Sequence, residues 1–149
     1  VQSEQALRKF GEVDRELIEQ RLHMQFELRA KGDWRGWLEF AAEDISFDIR
    51  GNWAVFPYAK PIQGKKALAE ALMMVVVQFE NLGWVINDLV IDGDRVGLRR
   101  TVMVRNRGTG RIAELDVAEF IRFRDGLIVE FTEIVDSAAL AKLDRPDEP

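Results

Sequence analysis

Three charged residues stand where core-facing strands should be apolar. Read every second residue, Val96, Leu98, Arg100, Val102 and Val104 form one stripe; Leu115, Val117, Glu119, Ile121 and Phe123 form a second; Leu127, Val129, Phe131, Glu133 and Val135 form a third. A period of two is a strand signature, and the apolar face is the one a domain buries. An ionised side chain buried without a partner is costly. Three such interruptions on neighbouring strands therefore point to a polar cluster at the bottom of an apolar cavity, the usual form of a small-molecule site. One arginine and two glutamates leave one surplus negative charge. The guanidinium stays protonated, pairs with one carboxylate and lowers its pKa, while burial and like-charge repulsion raise the other. Two carboxyls separated in this way can work as acid and base near neutral pH. The expected catalytic roles are Glu133 as base, Glu119 as proton donor and Arg100 as the orienting, charge-stabilising group. Beside this stands a plain structural reading, in which Arg100 and a glutamate are simply a buried ion pair.

The elements that must position these groups follow from periodicity. Residues from about Glu4 to Ala30 read as a helix with Leu17, Met24 and Leu28 on one face and Ile18 and Leu22 beside them. Trp34–Ala42 reads as a second helix with Asp33 as its N-cap. Ile45, Phe47 and Ile49 alternate as in a strand, and 50–63 is a loop whose Trp53, Phe56 and Tyr58 are expected to form a lid. Lys65–Glu80 keeps a helical apolar spacing. Four strands follow, about Trp84–Ile91, Arg95–Arg105, Ile112–Phe123 and Leu127–Asp136, joined by short glycine-bearing loops. Helices first and an antiparallel meander second make an α+β fold: N-terminal helices packed on a curved antiparallel sheet. Pairing Asn106 with Arg111 puts Arg100 and Glu119 on one face. A three-residue turn with Gly126 left-handed puts Glu119 and Glu133 together, which is the choice that satisfies both apolar stripes.

Composition narrows the functional classes. The chain has 149 residues, 47% hydrophobic and 32% charged, enough for one domain over 1–149 with a sizeable core at about 14–143. The net charge is −5 and no basic run interleaves with aromatics, so nucleic acid is not an expected partner. Cysteine is absent, which removes thiol chemistry and fits a cytoplasmic location. The longest apolar run, Ala71–Val77, is too short to span a membrane. With one histidine, His23, and no carboxylates at ligand spacing, neither a metal nor a cofactor is expected.

Particular stretches, in order, carry a resemblance: Lys31-Gly32-Asp33 leading into Phe40-Ala41-Ala42-Glu43-Asp44, then Gly64-Lys65-Lys66-Ala67-Leu68, then Phe120 to Ile128, and finally Phe131-Thr132-Glu133-Ile134-Val135-Asp136. Together they resemble the nuclear-transport-factor-2-like superfamily, the cone-shaped α+β fold of ketosteroid isomerase, limonene-1,2-epoxide hydrolase and the SnoaL-like polyketide cyclases. The resemblance implies a conical pocket, a homodimer and a small hydrophobic molecule as ligand; the outer sheet face offers Met103, Ala118, Phe120 and Ile134 for the dimer contact. In the epoxide hydrolase pattern Arg100 falls at the arginine and Glu133 at the later acid, while Val102 replaces the earlier acid. Phe47 and Ile49 replace the groups that hold the attacking water, so epoxide hydrolysis is disfavoured. In the ketosteroid isomerase pattern Glu119 falls near the protonated acid of the oxyanion hole. The expected lining is Phe47, Trp53, Phe56, Tyr58, Val102 and Phe131. Two functions remain open: a cofactor-independent isomerase, cyclase or dehydratase, and a non-catalytic binding or dimerisation domain of the same fold.

Overall fold

The computed structural model describes residues 2–57 and 59–144, with side chains from Arg15 onward. Its elements are α1 (Gln2–Ala30), α2 (Trp34–Leu38), β1 (Ala41–Arg50), β2 (Pro61–Gln63), α3 (Lys65–Gln78), β3 (Phe79–Asp92), β4 (Arg95–Asn106), β5 (Ile112–Arg124), β6 (Leu127–Val135) and α4 (Ser137–Asp144). The strands form one curved sheet in the order β2-β1-β6-β5-β4-β3. The helices lie over one face, and the core fills the space between.

The last four strands make the expected antiparallel meander, but the sheet as a whole is mixed, because β1 joins β6 in parallel. The second helix is shorter than its sequence suggests. It stops at Leu38, and Ala41 and Ala42 already belong to β1 and are buried there. Asp33 caps it as expected, accepting from the Gly36 amide at 2.9 Å. α3 gives way to β3 at Phe79, five residues before the strand expected from Trp84. Asp136 accepts from the Ala139 amide at 3.1 Å and so starts α4, whose Leu140 and Leu143 are buried.

The face that α1 buries differs from the expected one. Ile18, Leu22, Gln25 and Phe26 are buried, while Leu17 and Met24 are exposed. The spacing 18, 22, 25, 26 follows a helical stripe. One turn further along the same stripe stands Arg29.

Register decides which side chains meet. In β4–β5 Arg100 lies opposite Val117 and Glu119 opposite Leu98, so both charges share the core face. In β5–β6 Glu119 lies directly opposite Glu133. The expected three-residue turn is not what achieves this. Arg124 pairs with Leu127, leaving a two-residue turn in which Asp125 and Gly126 both have positive φ, 52° and 77°. That is the turn whose twist suits a hairpin. The register then shifts by one residue: Phe123 pairs with Ile128 but Arg122 with Glu130, leaving Val129 unopposed. This bulge turns both Ile128 and Val129 inward and restores the stripe for Phe131 and Glu133.

Candidate active site

The structure brings Arg100, Glu119 and Glu133 together, and adds a fourth member from α1. Arg100 donates to Glu119 Oε1 across 2.6 Å. Arg29 donates to that same oxygen from Nη1 at 3.1 Å and to Glu133 Oε2 from Nη2 at 3.0 Å. Glu119 is fully buried and Arg100 is 2% exposed. The Arg29 side chain keeps 22% of its surface open. Aromatic rings support both guanidiniums: Arg100 sits 4.2 Å above the Phe26 ring, and Arg29 is 5.5 Å from the Phe131 ring centre. Such faces attract cations and replace part of their lost hydration.

Beside the cluster opens a cavity of about 280 Å³. Arg29, Arg100 and Glu133 line it, while Glu119 lies behind them. Its apolar wall comes from α3 (Leu72, Val75, Val76), the start of β3 (Phe79) and the inner faces of β4 and β5 (Val102, Val104, Leu115, Val117). Trp34 and Trp37 of α2 and Leu140 of α4 complete it.

The expected lining is met in part. Val102 and Phe56 line the cavity, Phe56 packing 6.0 Å from Phe79. Phe47 and Phe131 do not. They stack on each other at 5.0 Å with Trp37 edge-on, and so belong to a packed aromatic cluster. Trp53 is 74% exposed on its loop and covers nothing. Tyr58 lies outside the described residues. The residue missed by sequence reading is Arg29. The signal was there, since 18, 22, 25 and 29 share one helical face and a charge on that face has the same meaning as a charge on a strand stripe.

Electrostatics separates the two carboxyls, and reverses one expected role. Burial raises the pKa of Glu119, but Arg100 and Arg29 together outweigh it and hold the group below its ordinary value. That direction favours its anionic form, whereas the sequence reading made it the proton donor. For Glu133, burial is the largest influence and raises the pKa. Arg29 opposes this, the neighbouring Glu119 charge adds to it, and the net shift is upward. Within this cluster two buried polar atoms have no hydrogen-bond partner among the described residues: Arg100 Nε and Glu119 Oε2. Among the described residues no group of three His, Asp or Glu side chains is arranged to hold a metal ion. No helix among them is long and apolar enough to cross a membrane.

The family model of the SnoaL-like domain matches residues 22–131. The chain belongs to the SnoaL-like family. Its fold is accordingly that of the nuclear-transport-factor-2-like superfamily. A solved NTF2-like protein from Burkholderia xenovorans is 27% identical, with a TM-score of 0.69 over 89% of this chain and 98% of that one. A proposed isomerase from Bacillus subtilis is 19% identical, with a TM-score of 0.76 over 87% and 94%. An epoxide hydrolase of M. tuberculosis described as LEH-like is 15% identical, with a TM-score of 0.66 over 83% and 85%. No curated protein matches.

Proposed function

We propose that this SnoaL-like chain is a cofactor-independent acid/base enzyme that moves a proton on a small, mostly apolar molecule, with Glu133 as the group that takes and returns it. One observation carries the reading. Of the two buried carboxyls only Glu133 lines the cavity, and it is the one whose environment favours holding a proton. Glu119, beneath it, pairs with both arginines, and its charge adds to the burial that raises Glu133.

The reaction class this supports is proton abstraction next to a carbonyl, as in an isomerase or cyclase. The Glu133 carboxylate takes the proton, and the C–H electron pair moves to the carbonyl oxygen to form an enolate. Glu133 then returns the proton to a carbon of that enolate, or the enolate carbon attacks a second carbonyl of the same molecule, whose C=O π pair moves to its oxygen and takes the proton from Glu133. Arg29 and Arg100 line the same cavity, and their guanidinium charges are suited to stabilise the enolate oxygen. The name of the similar isomerase is compatible with such chemistry, and that of the epoxide hydrolase only with acid/base chemistry in general. Both chains are under 25% identical, so they support the fold and not the reaction.

A panel of small cyclic and aryl ketones in D2O tests the proposal, with deuterium entering at the α-carbon read by mass spectrometry. Wild type is expected to exceed buffer, and Glu133→Gln to lose about 10²–10⁴ of that rate. Equal exchange by wild type and variant removes Glu133 from the mechanism. Exchange no faster than buffer with every ketone favours the second reading, a binding module. One observation already leans that way: Arg29 joins both carboxylates, so the cluster's charges are largely matched within it. We also propose that a second copy of the chain covers the outer sheet face, where Met103, Phe120 and Ile134 are exposed. Light scattering that gives only monomer would end that part.

A further inference from the structure

The cavity has a second set of charges, away from Glu133, that the proton chemistry leaves unused. Lys31 and Arg107 line it as exposed residues, and so stand at its rim. Val76 of α3 lines the cavity with them. Arg107 donates from Nε to the Val76 carbonyl at 3.0 Å. A Cβ placed on Gly32, next to Lys31, would lie 3.4 Å from Val76 Cγ1.

These two cations are poorly matched. Lys31 has no carboxylate partner among the described residues. Arg107 reaches only Glu80, at 3.7 Å, and that same Glu80 oxygen is held more closely by Arg105, at 3.1 Å. Counting all groups on the wall, Arg29, Lys31, Arg100 and Arg107 face only Glu80 and Glu133, with Glu119 behind. The opening is thus positive in a chain whose net charge is −5. A cleft of one sign with low-dielectric walls concentrates ligands of the other sign.

We propose that the ligand is an amphipathic carboxylate, its apolar body inside the cavity and its carboxylate at the rim between Lys31 and Arg107. A guanidinium fixed through Nε still offers parallel N–H bonds to a planar carboxylate, which is the geometry that makes such pairs strong. The body is limited in size. A cavity of about 150 Å³ holds benzene, and this one, at about 280 Å³, suits a molecule of one or two rings. The inference names the substrate class of the site under Proposed function, and depends on that reading only for what happens at the inner end.

Titration calorimetry with 2-naphthoate and its neutral isostere 2-naphthamide tests the claim, using wild type, Lys31→Gln, Arg107→Gln and the double variant. The acid should bind wild type about tenfold or more tightly than the amide. Each single variant should weaken the acid by roughly three- to tenfold and leave the amide unchanged. The acid preference should also shrink as salt is raised from about 0.05 M to about 0.5 M. An amide that binds as tightly as the acid overturns the proposal. So does an acid preference that survives in the double variant, or an absence of binding by both compounds. The two readings fail separately. Acid-selective binding without ketone exchange leaves the rim site and removes the proton chemistry. Exchange that depends on Glu133, without acid preference, does the reverse.

Discussion

The two faces of the β4–β5–β6 sheet carry the same kinds of charged residue and use them differently. On the outer face Arg99 meets Asp88 at 2.9 Å and Asp116 at 3.8 Å, and Arg122 meets Glu130 at 2.8 Å. On the inner face Arg100, the next residue along, meets Glu119 at 2.6 Å. The separations are alike, so distance does not distinguish a surface pair from a site. What differs is the surroundings. The outer pairs stand in water, which screens them and keeps every group near its ordinary hydration. The inner pair has lost that hydration, and only its partners keep it charged. This is why the inner set can hold one carboxyl ionised and its neighbour biased toward the proton, and why the outer set cannot.

The largest expected effect comes from breaking the inner set. Glu119→Gln removes the anion that both arginines share and leaves Arg100 as a buried cation without a carboxylate partner. We expect a loss of about 3–5 kcal/mol in urea-induced unfolding. The same change removes the like charge next to Glu133, so the Glu133 pKa should fall. A loss below about 1 kcal/mol would mean that the inner pair behaves as the outer ones do, and the contrast between faces would collapse.

A smaller effect, of opposite sign, is expected at Glu133. Its folded pKa is raised above the ordinary 4.5, so between those two values the folded chain binds more protons than the unfolded one. Stability therefore declines as pH rises through that window, and the decline is complete above the raised pKa. Glu133→Gln cannot ionise. Its melting temperature should exceed that of wild type at alkaline pH, and the difference should shrink as pH falls toward 4.5. Glu119 behaves in the opposite sense. Its folded pKa is lowered, so the stability it contributes is present above 4.5 and lost as pH falls below it. A variant that melts below wild type at alkaline pH would show that the Arg29 contact outweighs the cost of burying the Glu133 charge.

Much of this contrast was legible in the sequence, because strands write their two faces as odd and even positions. The alternation named Arg100, Glu119 and Glu133 as inward residues, and the short loop after Asn106 fixed the first register. The second register was harder. The sequence stripes require Glu119 and Glu133 to share a face, but a bulge in the turn and a bulge inside the strand satisfy that equally, and the chain uses the latter, at Val129. Arg29 was not read for a different reason. A helix spreads its faces over 3.6 residues per turn, so Leu17, Met24 and Leu28 made a plausible stripe of their own. Which stripe faces the sheet is settled only by packing, here by Phe26 against Trp84 at 5.2 Å. The lid failed on exposure. Nothing in the local sequence separates Phe56, which packs inward, from Trp53, three residues earlier, which does not.

The outer face supplies the smallest effect. Asp88→Asn breaks the 2.9 Å contact with Arg99, yet Asp88 and Arg99 are both exposed, and Asp116 remains within 3.8 Å of the same guanidinium. The expected cost is under about 1 kcal/mol, and it should vanish in about 1 M salt, where the screening length falls to about 3 Å. The Glu119→Gln loss should persist in that salt, because mobile ions cannot enter the site to replace the missing carboxylate. Urea unfolding of the two variants at low and high salt checks both statements at once. If the outer variant lost as much as the inner one, or if salt erased both losses alike, the sheet would have two equivalent faces, and burial would no longer account for the separate behaviour of Glu119 and Glu133.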